Sequence, residues 1–210
     1  MSQAHAVLLH GWGLSSFATR YWCRRLQMAG FATSQFAYRS RAQSLVHNTA
    51  ALAAHVRALP RGVPVHLVGH SLGGIVIIQC LATQALPQVK RAVMVGTPFQ
   101  GSAPAQRLMG TAWGRVLLGK TILQWHGVQA KDVPKGLQIG TIAGTRPIGM
   151  GRVLGKLQSP HDGTVSLAET EVPFATDRLV MHITHSEMLV SPQVSEHIVH
   201  FLRHGGFKAP

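Results

Sequence analysis

Short apolar runs alternate with longer segments of helical spacing along most of the chain. Six runs are rich in Val, Leu, Ile and Phe and predict buried strands, at residues 6–10, 31–38, 63–69, 91–96, 137–144 and 178–184. Between them, apolar residues recur every three or four positions, which predicts helices at residues 17–29, 45–59, 73–85 and 190–203. Gly30 is suited to end the first helix. This alternation predicts an α/β protein with a mostly parallel sheet of about six strands and helices on both faces.

The length of the chain and one irregular segment bear on its organisation. With 210 residues, 46% of them hydrophobic, the chain is long enough for one sizeable core, so we expect a single domain over residues 1–210. Residues 101–136 are too many for an ordinary connection and carry a helical pattern at 105–118. This segment is either a helix that packs on the sheet or a flap that covers or lines the active site. In the second case, Met109, Trp113 and Leu117 line the pocket.

The charge is strongly basic, with 20 Lys and Arg against 7 Asp and Glu and a net charge of +13. This balance favours an anionic substrate, an anionic membrane surface or nucleic acid, although a proteome rich in arginine explains it equally well. The basic residues are scattered and form no dense run, so nucleic acid is not the expected partner. The longest apolar run spans about ten residues, half of what a transmembrane helix needs.

The amino-terminal residues do not show the pattern of a secretory signal, so we expect a cytoplasmic protein, with peripheral membrane contact as an option. Cys23 and Cys80 each lie among apolar residues with helical spacing, which is typical of reduced core thiols. Neither cysteine has the spacing of a metal ligand. We therefore expect no metal site.

A serine surrounded by glycines stands between a predicted strand and a predicted helix, in LVGHSLGG at residues 67–74. A turn this short forces Ser71 into a strained backbone conformation. Gly69 and Gly73 lie two residues to either side, where larger side chains would collide. The amino end of the helix and the Leu72 amide can then stabilise negative charge beside the exposed hydroxyl. This pattern predicts a nucleophile elbow.

The sequence HGWG at residues 10–13 follows the first predicted strand. Gly11 allows the chain to turn sharply, so that the Trp12 amide can face the same space as the Leu72 amide. Two such amides would form an oxyanion hole. The alternative is an ordinary glycine-rich exit from a strand.

Few acidic residues can assist a nucleophile at this position. Asp132 and Asp177 precede strands and therefore lie at the opposite edge of the sheet. Asp162, in SPHDGTVS, follows the strand at 137–144 and lies on the same side as Ser71. An aspartate that serves only its Asp-Gly turn is the alternative.

Most of the thirteen histidines fall within predicted helices or strands. His185 follows the last strand and can reach both Ser71 and Asp162, so it is the predicted general base. His126 and His161 are the competing candidates. His70 lies in the elbow itself with its side chain turned away from the nucleophile by alternation, and it is a further candidate for the pocket.

Together, HGWG, GHSLGG, GTPFQGS, HDGTV and HITHSEML make the chain resemble a small α/β-hydrolase of the lipase and carboxylesterase type. GTPFQGS, at residues 96–102, is similar to a stretch of bacterial lipases and of proteins that deacylate lipid anchors. The resemblance implies an α/β-hydrolase fold with a minimal cap domain or none.

The resemblance also assigns roles to individual residues. Ser71 would be the nucleophile, His185 the base and Asp162 the acid, with Trp12 and Leu72 as oxyanion donors. The implied activity is hydrolysis of a small-molecule or lipid ester through an acyl-enzyme, without a cofactor. An acyltransferase or thioesterase with the same triad, or a catalytically silent binding module, are the alternatives. The acyl group, the acceptor and the oligomeric state are left open.

Overall fold

One parallel sheet organises the chain in the computed structural model, which describes residues 3–111, 119–125, 127, 129–149 and 157–208. The six strands are β1 (His5–Leu9), β2 (Ala32–Phe36), β3 (Val65–His70), β4 (Val89–Val95), β5 (Gln138–Gly144) and β6 (Asp177–Met181). They pair in the order β2-β1-β3-β4-β5-β6, and every pair is parallel. The predicted α/β class and six-stranded parallel sheet are confirmed.

Five helices can be assigned in full. They are α1 (Arg20–Met28), α2 (Leu45–Arg57), α3 (Leu72–Thr83), α4 (Ala103–Met109) and α5 (Pro192–His204). The hydroxyl groups of Ser44, Ser102 and Ser191 each accept a backbone hydrogen bond at the start of a helix. Gly205 ends α5 in the left-handed conformation that glycine adopts without strain.

Among the six predicted strands and the four predicted helices, two boundaries differ by three residues from the observed ones, and the others differ by two or fewer. The first helix was expected over residues 17–29, but Ser16–Thr19 form a 3₁₀ turn and α1 begins only at Arg20. The last strand was expected to reach residue 184, whereas β6 ends at Met181. That residue pairs with Gly144, the last residue of its only neighbour β5, so beyond it β6 has no strand to pair with.

The sheet separates two apolar cores. In β1, Val7 and Leu9 belong to the core beneath α2 and α3, whereas Ala6 and Leu8 belong to the core beneath α1 and α5. All four are fully buried. The near-continuous apolar strands of the sequence follow from this burial on both faces.

The strand order creates a crevice between β1 and β3. The chain runs from β1 to β2 on one side, and from β3 to β4 on the other, so the loops that follow β1 and β3 diverge. Ligands of open α/β sheets bind at such a switch point, outside the carboxyl ends of the strands. The HGWG turn and Ser71 lie at those two ends.

The segment at residues 101–136 is partly described. Its first helix, α4, ends at Met109 with Gly110 as its cap, and residues 112–118 lie outside the described residues. Residues 119–123 are helical again. There, Thr121 is fully buried, and its hydroxyl donates to the Gln43 carbonyl and accepts from Asn48 Nδ2. This second part is therefore packed against α2 and the loop before it. None of the described helices is both long and apolar enough to cross a membrane.

Candidate active site

Ser71 forms a one-residue turn between β3 and α3. Its backbone has φ 52° and ψ −120°, and in the described part of the chain it alone has a positive φ without being glycine. Strain of this kind is typical of functional sites. A Cβ at Gly69 would lie 2.6 Å from the Gly73 carbonyl carbon, and a Cβ at Gly73 would lie 2.7 Å from the His10 carbonyl oxygen. Only glycine therefore fits at these two positions.

The turn after β1 lies against Ser71. A Cβ at Gly11 would lie 3.3 Å from the Ser71 Cβ. The Gly11 carbonyl oxygen accepts a hydrogen bond of 2.8 Å from His10 Nδ1, and the Tyr38 hydroxyl donates to the His10 carbonyl at 2.7 Å. Because the Gly11 carbonyl and the Trp12 amide share one planar peptide, the bond from His10 also sets the orientation of the Trp12 amide. The bond from Tyr38 fixes the preceding peptide, between His10 and Gly11.

Leu72 is the first residue of α3, so its amide has no acceptor within the helix. The partial positive charge at this helix end favours an anion next to Ser71. Both proposed oxyanion donors, Trp12 and Leu72, thus belong to backbone segments that border the serine. Their role as donors stays a prediction.

Asp162 and His185 form a buried pair. Asp162 Oδ2 lies 2.7 Å from His185 Nδ1, and the residues are 0% and 8% exposed. The other carboxylate oxygen, Oδ1, accepts from the Thr164 and Val165 amides at 2.9 and 2.7 Å. The Asp162 carbonyl also accepts from the His185 amide at 2.9 Å. With its proton on Nδ1, the imidazole presents Nε2 as a base.

The serine and the histidine approach each other across the end of β4. The Ser71 amide donates to the Val95 carbonyl at 2.8 Å, and a Cβ at the next residue, Gly96, would lie 3.0 Å from His185 Nδ1. Between the hydroxyl of Ser71 and His185, both described residues, no hydrogen bond is formed. Catalytic hydrogen bonds of unliganded enzymes are often loose and tighten when substrate binds.

His70 lies behind the imidazole of His185. Its ring is 2% exposed, and its centroid is 4.6 Å from that of His185. His70 Nε2 donates to the His185 carbonyl at 3.0 Å. Burial and the neighbouring His185 lower the pKa of His70 to about 3, so the ring is neutral. This placement suits a residue that positions His185 rather than one that lines an open pocket.

Two glutamates that the sequence argument missed stabilise the loops of this pair. Glu187 accepts from the Thr184 amide while its own amide donates to the Thr184 hydroxyl, and Glu169 is bonded in the same way to Ser166. Each is a reciprocal capping box. The signal was present, because both THSE and SLAE match the pattern of Ser or Thr followed three residues later by Glu.

The competing candidates have other surroundings. His161 Nδ1 accepts from the Gly163 amide at 3.1 Å, and His126 lies outside the described residues. Asp177 accepts from the Phe207 amide at the amino end of β6, away from Ser71. Asp132 accepts from the Gln129 amide. The sequence-predicted acid and base are thus the two that the structure pairs.

The proposed pocket residues are only partly located. Met109 is half-buried at the end of α4, whereas Trp113 and Leu117 lie outside the described residues. Trp125, further along, packs on Phe99 with ring centroids 5.7 Å apart and donates to the Phe99 carbonyl. The flap stays a prediction for the first half of the segment. Across the described ranges, no three His, Cys, Asp or Glu side chains are grouped to hold a metal ion.

Comparison with known families agrees with this architecture. A sequence model of the alpha/beta hydrolase family matches residues 6–199. The chain belongs to the alpha/beta hydrolase family. A comparison with curated proteins found no match.

Solved structures of other alpha/beta hydrolases share the fold. The mature lipase BlEst2 of Bacillus licheniformis is 22% identical, with a TM-score of 0.77 over 97% of this chain and 92% of that chain. The metagenomic carboxyl esterase MGS0156 is 17% identical, with a TM-score of 0.63 over 88% and 65%. The type II thioesterase YbtT of the yersiniabactin pathway is 17% identical, with a TM-score of 0.64 over 96% and 92%. These likenesses confirm the expected fold.

Proposed function

We propose that this alpha/beta hydrolase is a serine esterase that cleaves carboxylic esters through Ser71, His185 and Asp162. The observation that carries the proposal is the buried Asp162–His185 pair, 2.7 Å apart, beside a serine held at φ 52°. A histidine oriented by a buried carboxylate next to a strained, solvent-accessible serine is the arrangement that acyl transfer requires.

The proposed reaction proceeds through an acyl-enzyme. Ser71 Oγ attacks the ester carbonyl carbon while His185 Nε2 takes its proton, and Asp162 stabilises the imidazolium. The carbonyl oxygen becomes an oxyanion that accepts from the Trp12 and Leu72 amides. When the tetrahedral intermediate collapses, the alcohol leaves with the proton from Nε2. Water then repeats these steps on the acyl-enzyme and releases the acid and free Ser71.

A thioester is the second candidate substrate, because the same steps apply when the leaving atom is sulfur. The structural similarity to a type II thioesterase, over 96% of this chain, supports this second candidate. Matched butyryl esters of an alcohol and a thiol, assayed with the same enzyme preparation, separate the two activities. Transfer to an added alcohol in preference to water would instead indicate an acyltransferase.

A fluorophosphonate probe tests the proposal directly. The wild-type chain should be labelled, and Ser71→Ala should not be. Ser102→Ala, which alters a helix cap instead, is the matched control and should be labelled like the wild type. Absence of labelling in the folded wild-type chain would favour a silent binding module. A series of p-nitrophenyl esters of increasing chain length then defines the acyl group.

A further inference from the structure

Charge is distributed unevenly along the chain. The first 131 residues contain thirteen Lys and Arg residues and no Asp or Glu. All seven acidic residues therefore lie within residues 132–210, which include β5, β6 and α5. Glu196 of α5 pairs with Arg25 at 3.1 Å, but most of the basic residues in the first 131 have no acidic neighbour in sequence, and the excess positive charge attracts anions to this part of the molecule.

A cleft opens in this basic part of the molecule, between the loops that follow β1 and β2. Its volume is about 590 Å³, and it is lined by residues from both loops, among them Ser15, Ser16, Arg39, Ser40 and Arg41. The Gly13 amide donates to the Ser40 hydroxyl at 3.0 Å and ties the two loops together. A volume of several hundred Å³ is typical of small-molecule sites.

The cations at the mouth of the cleft have no carboxylate partners. Arg39 and Arg41 are exposed, and the four ion pairs of the described residues include neither of them. The guanidinium of Arg41 lies 5.5 Å from the centre of the Trp12 ring. The Lys120 amide donates to the Arg41 carbonyl, which brings a third cationic residue to this part of the surface.

The cleft adjoins the proposed reaction centre. His10 and Tyr38 line its floor, and they are the residues whose hydrogen bonds hold the Gly11 peptide beside Ser71. A ligand in the cleft and an ester carbonyl at Ser71 would therefore lie on two sides of the same turn. The lining of the cleft includes neither Ser71 nor Trp12, so a substrate that occupies both sites has to extend around this turn.

We infer that this cleft binds an anionic group of the ester substrate, a phosphate or a carboxylate, through Arg39 and Arg41. The inference rests on the proposed function, because it assumes that an ester is cleaved at Ser71. Binding of the anion can nevertheless be tested without catalysis. Guanidinium groups form paired, charge-assisted hydrogen bonds with such groups. The preferred substrate is then an acyl ester that carries a negative charge close to the scissile bond.

Three soluble ether ligands, which cannot be hydrolysed, test the site: 1-O-butylglycerol, its 3-phosphate, and 3-O-butylglyceric acid. Binding to the wild-type chain is measured by calorimetry at low salt. We expect the phosphate or the carboxylate to bind at least about tenfold more tightly than the neutral ligand, with a preference that declines as salt screens the charges. The two charged ligands identify which anion is preferred, and their short chains exclude adsorption to lipid.

The double variant Arg39→Gln/Arg41→Gln should reduce this preference to about threefold or less. Arg61→Gln is the matched control, because Arg61 is exposed in the loop before β3, at the opposite edge of the sheet, and it should keep the preference. The inference would be overturned if the wild-type chain bound all three ligands equally. It would also be overturned if both variants lost the preference for the charged ligands to the same extent. Because the ligands are ethers, these results are independent of whether fluorophosphonate labels Ser71.

Discussion

Replacing Gly96 with alanine tests whether the position of the His185 ring controls the reaction. Gly96 has φ 58°, and a Cβ there would lie 3.0 Å from Nδ1 and 3.1 Å from Cε1 of His185. Comfortable contacts begin at about 3.5 Å, so the ring must move by roughly half an ångström. The movement displaces Nδ1, the atom that bonds to Asp162 at 2.7 Å.

The expected loss follows from this displacement. A misplacement of about 1 Å can lower an enzymatic rate on the order of 100-fold, so half of it corresponds to about tenfold in kcat. The left-handed backbone adds a cost of about 1–2 kcal/mol for alanine, because its Cβ approaches the carbonyl oxygen. For a chain of this size, that cost lowers Tm by about 3 °C per kcal/mol.

Gly30→Ala separates the two effects. Gly30 has φ 88°, but a Cβ there would contact nothing within 4 Å. This variant should lose a similar amount of Tm and keep its kcat on p-nitrophenyl butyrate, while Gly96→Ala loses both. If Gly96→Ala retained the wild-type kcat, or if Gly30→Ala lost as much activity, the position of the His185 ring would not control the reaction.

Three further predictions concern the surroundings of the proposed triad. Gly11→Val should lower kcat on the order of 100-fold by disturbing one oxyanion donor, whereas Trp12→Phe should be mild; equal losses would indicate that the indole binds substrate. As the pH falls from about 6.5 to 3, the unfolded wild-type chain binds a proton at His70 that the folded chain does not, because the pKa of His70 is lowered in the fold. The free energy of unfolding, measured with urea, should therefore fall less over this range in His70→Gln than in the wild type. Glu187→Gln should lower Tm at pH 7. The difference should shrink as the pH falls below the ordinary range of a glutamate carboxyl, because hydrogen bonds from Thr184 lower the pKa of Glu187 and its stabilising contribution is lost as it protonates. A constant difference at all pH values would contradict this.

Much of the fold could be predicted from the sequence because burial on both faces makes each strand an apolar run. The ends of the elements were less predictable, since β6 ends where its neighbour β5 ends, and that pairing joins residues far apart in the sequence. For the segment that includes Thr121, the sequence left both a packed helix and a flap open. The hydrogen bonds of Thr121 to Gln43 and Asn48 attach this part to α2 and the preceding loop, and they join residues more than 70 positions apart in the sequence.

The features of the candidate site also differ in whether they could be predicted from the sequence. The turn at Ser71 was predictable because the crowding that requires Gly69 and Gly73 is local to the elbow. The contacts of Tyr38 and Gly96 were not, because they depend on how separate loops meet at the edge of the sheet. The capping boxes are an intermediate case, since their pattern is local but their value to the site appears only when the loops of Asp162 and His185 are seen together.

The proposed mechanism requires Ser71 and His185 to act as one catalytic unit. The most direct measurement is kcat/KM on p-nitrophenyl butyrate for the wild type, Ser71→Ala, His185→Ala and the double variant. Each single variant should lose on the order of a thousandfold or more, and the double variant should be little worse than either, because removing one member already disables the unit. If His185→Ala kept a tenth or more of the wild-type kcat/KM, or if the two losses multiplied in the double variant, His185 would not be the base that activates Ser71.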